Sequence, residues 1–439
     1  MRVISGLDDA LKALRRSPSL GLDDVAPGVA LRIKEAFGEA LTPRQVVERI
    51  LSDVRGRGDE ALRHYVKKLD GFEAETIEVS AQVRRDATKK VSPELWAALE
   101  VAASRVREFH EACMRRTWVD ETKGWGELVT PLERVGAYIP GGRAIYPSSV
   151  LMTAIPAKVA GVDEVIIATP ARGDGGPAPS ILAAAEIAGV DRVFQVGGAQ
   201  AIAAMAYGTE SVPRVDKICG PGNLFVTLAK ALVYGEVDVD GLYGPTETVL
   251  IADDTANPAY CAADLLAQAE HDPLASPIFV TTSEALLQRV LDEVERQLST
   301  MERAEIAREA LESNGAFVVL GSIDEALQVA NAYAPEHLCL LVDQPWSYLD
   351  KVRNAGGVFI GEMSPEVVGD YIAGPSHQMP TSGTARFSSV LGVHHFLKVT
   401  SIVGLSAGTF EGLVDAGKTI ALAEGFTGHA RAMTIRLGK

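Results

Sequence analysis

The stretch "YAPEHL", Tyr333 to Leu338, sets Glu336 beside His337 just before the apolar run "LCLLV". A neutral imidazole near its own pKa can take a hydroxyl proton, and a carboxylate can activate water. Together, beside a hydride acceptor, they would suit alcohol oxidation; plain surface charge is the competing reading. In "NPAYCAADLLAQAEHDP", Gln268 and His271 are three residues apart and share one helix face with Asp264. Spacing alone reads as a solvated polar stripe. The sharper alternative is a pair of metal ligands, an imidazole being suited to zinc, with further ligands from elsewhere. "SPEVVGDYIAGPSH" offers Asp370 and His377, and "AEGFTGH" offers Glu424 and His429. Asp370 has a plain role bonding nearby backbone, and His429 one on a tail surface. The pair His394–His395 reads as surface.

These residues need elements to hold them. Up to about residue 130 the chain reads as helical. Thr42 is placed as an N-cap and Pro43 at the first helical position of "TPRQVVERILSDVRGRGDEALRHYVKKLD". Gly56, Gly58 and Ala61 spell GxGxxA, but no strand precedes them, so a dinucleotide fingerprint is rejected. From about residue 135, β-branched runs such as "DEVIIATP", "DRVFQV", "TVLIAD" and "AFVVLG" alternate with Ala-rich helical stretches. Two successive series predict two parallel, helix-covered α/β sheets, with a mainly helical C-terminal stretch. Ligands of such sheets are expected at the carboxyl ends of strands. There lie the glycine loops "YIPGGRAIYPSS" (Gly141, Gly142), "VGGAQAI" (Gly197, Gly198) and "CGPGN" (Gly220, Gly222), which suit a phosphate or simply a tight turn. No HExxH of a zinc hydrolase is present.

The bulk properties narrow the classes. The chain has 439 residues, 47% of them apolar and 23% charged, and a formal net charge of -16. That is a soluble multidomain balance whose acidity disfavours nucleic acid. No apolar run suits a membrane span, and "MRVISGLDDALKALRRS" lacks a signal-peptide core. Cys113, Cys219, Cys261 and Cys339 show no CxxC spacing, which points to a reducing cytoplasm.

In order along the chain, "DVRGRGDEAL", "YIPGG", "GGAQAIAA", "GPGNLFVT", "QAEHDP", "APEHL", "GDYIAGPSH" and "EGFTGHA" resemble the motifs of histidinol dehydrogenases, over nearly the whole length. The resemblance implies two Rossmann-like parallel-sheet domains with incomplete fingerprints, a helical N-terminal segment and a small C-terminal helical arm. It implies oxidation of L-histidinol through an aldehyde to L-histidine, the last step of histidine biosynthesis. Four electrons pass to two NAD⁺, in a cytoplasmic homodimer with one zinc per site. Carried over by residue, the zinc ligands are Gln268, His271, Asp370 and His429, all also at the substrate. Glu336 and His337 are the proton acceptors, and His337 also touches substrate, as do Thr246, His377 and Glu424. Tyr138, Gln200 and Asn223 contact NAD. For Glu336 and His337 to face one site, the backbone is expected to turn after Pro335.

The implied organisation is a helical segment over 1–30 and a discontinuous domain over 31–137 and 245–388 carrying most zinc and catalytic residues. An NAD-binding domain over 138–244 and an arm over 389–439, swapped in the dimer, complete it. The chain departs from the family beside the substrate. It has "GPTE" with Thr246 where the family usually has "GPSE", and "GPSHQMP" where it often has "GPNHVLP". These changes leave open another small polar alcohol, such as a sulfopropanediol.

Overall fold

The computed structural model describes residues 1–16, 27–73, 76–141, 145–171 and 176–438. Gly142 and part of the N-terminal segment lie outside the described residues. In chain order the strands are β1 (Arg2–Ser5), β2 (Trp118–Asp120), β3 (Trp125–Pro131), β4 (Arg134–Tyr138), β5 (Glu164–Thr169), β6 (Arg192–Gln195) and β7 (Lys217–Cys219). They continue with β8 (Asp238–Val239), β9 (Glu247–Ala252), β10 (Ser276–Thr281), β11 (Ala316–Val319), β12 (His337–Leu341), β13 (Gly357–Ile360) and β14 (Leu397–Val403).

The chain divides into two compact units, Met1–Cys113 with Leu132–Phe396, and Met114–Pro131 with Leu397–Lys439. The first unit holds two parallel sheets. One has six strands in the order β1-β11-β10-β9-β12-β13; the other has five, β6-β5-β4-β7-β8. Every residue of β9 and β12 is buried, as strands covered by helices on both faces must be. Sequence order reverses between β9 and β12 in the larger sheet and between β4 and β7 in the smaller. Those are the points where such sheets open a crevice.

Helices are fixed by their caps. Thr42 and Gln45 form a reciprocal capping box at the start of the helix Pro43–Arg57. Asn257 caps the helix Pro258–Ala269, whose first residue is the proline. That helix leaves the carboxyl end of β9 and runs back to its amino end, delivering Gln268 there. Val46, Ile50, Val54 and Leu62 of the N-terminal helices pack with Ile166, Phe194 and Ile202 in one core beneath the five-stranded sheet. The larger sheet has cores on both faces, one built around Phe279 and Phe317, whose ring centroids are 6.2 Å apart.

The second unit is an antiparallel sheet, β14-β3-β2, with helices Ala407–Ala423 and Thr427–Thr434. Among its described helical residues only Val414, Ala421 and Ala430 are buried, while Trp118, Trp125, Val403, Ile420, Phe426 and Ile435 are exposed.

Three strands interrupt the region read as helical. β1 is an edge strand with only Ile4 buried, β2 is largely exposed and β3 mostly half-buried, so none carries the apolar run that marks a buried strand. β14 likewise interrupts the C-terminal stretch, with no residue fully buried. Gly56 lies inside a helix, and Gly58, at φ 52°, joins it to the helix Asp59–Tyr65. The GxGxxA string is thus a helical junction.

Candidate active site

In the larger sheet the candidate residues gather at the amino ends of β9 and β12, the edge opposite to the one expected. Glu336 and His337 precede and open β12, and Thr246 and Glu247 stand at the same place on β9. The helix before β12 ends at Tyr333, and Ala334, at φ 55°, turns the chain. The recorded turn therefore lies before Pro335. Gly356 and Gly357 then donate to the carbonyls of Pro335 and Glu336, fixing the strand entry. Glu336 Oε2 and His337 Nδ1 come within 3.7 Å, so the adjacent side chains do meet.

Each has a defined hydrogen-bond state. His337 Nδ1 donates to the Glu247 carbonyl at 3.0 Å, which leaves Nε2 as the basic nitrogen; Nε2 is buried and has no partner among the described residues. Glu336 Oε2 accepts from the Thr246 hydroxyl at 2.6 Å and the Glu247 N–H at 3.1 Å. Burial pushes the Glu336 carboxyl well above the usual carboxylate range, against the pull of the Thr246 hydroxyl. A carboxyl so raised is a proton acceptor suited to neutral pH.

Gln268 and Asp264 are buried, so the polar face of their helix is not a solvated stripe; burial lifts Asp264 to about 6. The Gln268 carboxamide meets the Thr246 hydroxyl. In its better-satisfied orientation Nε2 donates to Glu366 Oε1 at 2.7 Å, and Oε1 accepts from Glu247 N–H at 3.1 Å. His271 lies just past the helix end and is exposed. Asp370 belongs to the short helix Glu366–Tyr371, and its carbonyl accepts from His377 Nδ1 at 2.8 Å. His377 Nε2 meets the Ser149 hydroxyl at 3.1 Å. Burial lowers the His377 pKa, the Asp370 carboxylate raises it, and His337 and His271 lower it further, so these side chains share one electrostatic neighbourhood.

Glu424 and His429 belong to the second unit, both exposed; Glu424 caps the helix Ala407–Ala423, and the His429 ring stacks on Phe426 at 4.8 Å. Among the described residues no group of three or more His, Cys, Asp or Glu is arranged to hold a metal. Within the first unit, His271, Asp370 and Gln268 carry nitrogen and oxygen donors of the kind zinc accepts.

The smaller sheet keeps its candidates at the carboxyl edge. Tyr138 ends β4, and its buried hydroxyl accepts from Gly198 N–H at 3.2 Å. Gly197 and Gly198 follow β6 and open the helix Gly198–Tyr207, which carries fully buried Gln200. Gly220, at φ 112°, follows β7; a Cβ there would lie 2.1 Å from the Tyr138 carbonyl, so only glycine lets the two loops close together. Asn223, exposed, caps the helix Leu224–Val233 through Oδ1. Lys230 and Asp240, both fully buried, brace the Gly220 turn. Lys230 Nζ donates to the Gly220 carbonyl at 2.9 Å, and Asp240 Oδ2 accepts from Gly220 N–H at 2.8 Å. Glycine-lined helix N-termini at a switch point, with a Gln200 Oε1 that has no partner among the described residues, fit a dinucleotide.

A family model described as histidinol dehydrogenase matches residues 36–437. The chain belongs to the histidinol dehydrogenase family. A histidinol dehydrogenase of Dehalococcoides mccartyi (strain ATCC BAA-2266 / KCTC 15142 / 195) is 49% identical over 441 residues, covering 100% of both chains. One from Thermus thermophilus is 52% identical over 398 residues, covering 90% of this chain and 95% of the other. The crystal structure of histidinol dehydrogenase from Elizabethkingia anophelis superposes with a TM-score of 0.92 at 35% identity, over 100% of this chain and 98% of that one.

The departures from the usual family motifs are spent internally. The Thr246 hydroxyl donates to Glu336, Ser376 donates to the Met152 carbonyl, and Gln378 donates to Thr153. Sequence reasoning missed Glu247, Glu366 and Arg16. Arg16 grips the Glu247 carboxylate with both terminal nitrogens and lies 3.7 Å over the Tyr333 ring. Glu366 is fully buried, lifted to about 7 chiefly by burial, and accepts from the Thr248 hydroxyl at 2.6 Å. Only Glu247, next to Thr246 in "GPTET", carried a signal. His395, read as surface, is mostly covered, and burial drives its pKa down to about 4; His394 is exposed.

Proposed function

We propose that the protein oxidises L-histidinol to L-histidine through L-histidinal, the last step of histidine biosynthesis, in the cytoplasm, using NAD⁺ and zinc. The observation that carries this is the buried Nε2 of His337, without a partner among the described residues, fixed by Glu247 and set beside Glu336, in a chain about half identical to histidinol dehydrogenases. When bound, NAD⁺ supplies the hydride acceptor, and zinc supplies an anchor for an amino-imidazole substrate through Gln268, His271, Asp370 and His429.

The chain's own residues handle the protons. His337 Nε2 takes the carbinol proton as hydride leaves the same carbon, which gives the aldehyde. Glu336 then takes a proton from water as the water oxygen bonds to the aldehyde carbon, and protonated His337 returns its proton to the former carbonyl oxygen, which gives the hydrate. His337, having released its first proton, takes one from the hydrate as the second hydride leaves. Two hydrides make four electrons, and the product is the carboxylic acid. His337 and Glu336 are held by packing and by Glu247 and Thr246, so little reorganisation is needed at each step.

The larger sheet would carry zinc and the proton acceptors, and the smaller would carry NAD through Tyr138, Gln200 and Asn223. His377, Thr246 and Glu424 would complete the substrate site. A homodimer in which Glu424 and His429 serve the partner's site accounts for the apolar surface on the second unit. With Thr246, Ser376 and the Gln378 Nε2 engaged internally, nothing at these departures favours a sulfonated alcohol over histidinol. The test is NADH yield with limiting L-histidinol and excess NAD⁺ on zinc-loaded protein. About two NADH per histidinol supports the reading; no NADH with cofactor bound refutes it.

A further inference from the structure

One carboxylate stands at the cofactor edge without a part in the proton transfers. Asp70 closes the short π-helical turn Val66–Asp70, and such turns are frequent at functional sites. Its half-buried carboxylate lies beside the Gly197 backbone, whose N–H pulls its pKa down, and accepts from Gln200 Nε2 at 3.4 Å. An ionised carboxylate has about four acceptor positions, so two remain. Beside it the fully buried Gln200 Oε1 has no partner among the described residues. The Tyr138 hydroxyl already accepts from Gly198 and keeps its own proton to donate. Among the described residues no Lys or Arg is among the groups acting on Asp70.

Anchoring the first turn of the helix Gly198–Tyr207 explains the Gly197 contact and nothing more. It leaves Gln200 Oε1 without a donor among the described residues, which buried polar atoms rarely lack, and leaves Asp70 with lone pairs to spare. The chemistry that fits is a pair of neighbouring hydroxyls, as in a ribose diol. A phosphate at the same place would meet the carboxylate's charge with no cation among the described residues to offset it. The placement agrees. Asp70 lies over the turn beyond β6, on one side of the β4/β7 switch point, while Asn223 lies on the other. Dinucleotides lie across such a point, one half on each side.

Resting on the NAD-dependent reading above, we infer that Asp70 selects NAD⁺ over NADP⁺, receiving the ribose hydroxyls of the adenosine half and repelling a 2′-phosphate. Burial lifts its pKa to about 6, so it is charged at neutral pH.

The experiment is calorimetric titration of NAD⁺ and of NADP⁺ into the purified full chain, for the wild type, Asp70→Asn and Asp70→Glu. Asp70→Asn keeps an acceptor for Gly197 and loses the charge, so the preference for NAD⁺ should shrink by about tenfold, while Asp70→Glu keeps it. An unchanged preference in Asp70→Asn, or equal loss in both variants, overturns the inference. Wild-type protein gives a second check that needs no variant. Adenosine 5′-monophosphate should compete with NAD⁺ and adenosine 2′,5′-bisphosphate should not; equal competition also overturns it. If the wild type binds no NAD⁺ at all, it is the broader cofactor reading that fails.

Discussion

Glu336→Gln separates the two halves of the proposed reaction. The carboxylate uses Oε2 for both of its recorded hydrogen bonds, to Thr246 and to Glu247 N–H. A glutamine oxygen at the same place accepts both, so folding should change by no more than about 1 kcal/mol. The residue is buried, and its carboxyl pKa is raised by that burial. In the wild type this stabilises the fold fully below the unfolded-state pKa and is lost as pH rises through the folded value. Glu336→Gln should therefore flatten the stability curve on the alkaline side. Catalysis responds differently. Losing a general base costs about 10²–10⁴ in rate, or roughly 3–5 kcal/mol of transition-state stabilisation. The loss should fall on the aldehyde step alone, because only that step activates water. Rapid-quench measurement of one turnover with histidinol should give a first NADH at near wild-type rate and a second delayed by orders of magnitude. Equal slowing of both NADH steps, or of neither, would refute the division of labour.

Thr246→Ala removes a hydrogen bond that holds the Glu336 pKa down, so the acidic limb of the kcat/KM profile should move to higher pH, with about a tenfold loss near neutrality; Thr246→Ser should restore it, and a profile unmoved by either change would count against the linkage. His395 is held neutral in the fold with a pKa near 4, lowered first by burial and then by His394 and Lys217. The unfolded chain binds that proton first, so stability should fall by up to about 3 kcal/mol between pH 6.5 and 4. His395→Gln should lose that slope in pH-dependent urea melts. Lys230→Met strands the buried Asp240 carboxylate and should cost about 3–5 kcal/mol, with part recovered by Lys230→Met/Asp240→Leu; a cost below about 1 kcal/mol would mean water reaches the pair.

The buried strands and capped helices were legible because local sequence dictates them. β9 and β12 are short apolar runs, and Thr42 and Asn257 announce their helices. Edge strands such as β1 escaped because little of their surface is buried, so no period or apolar run survives in the sequence. Site residues were legible where chemistry sits in one stretch, as in Glu336–His337. Arg16 and Glu366 were not, because their role comes from pairing with Glu247 and Thr248, far away along the chain. The edge of the larger sheet was misread because the carboxyl-end rule describes anion-binding crevices, and periodicity cannot say which edge a second sheet will use.

That the two parallel sheets use opposite edges has an electrostatic consequence. Helices in such sheets run against the strands. The amino edge of the larger sheet therefore receives helix C-termini, those of Pro258–Ala269 and Ile323–Tyr333. The carboxyl edge of the smaller receives the N-termini of Gly198–Tyr207 and Leu224–Val233. Each terminus carries about half an elementary charge, negative at the first edge and positive at the second. One chain thus offers a negative field where a divalent cation and an ammonium group would sit, and a positive one where a pyrophosphate would sit. The backbone itself sorts the ligands by sign before any side chain touches them.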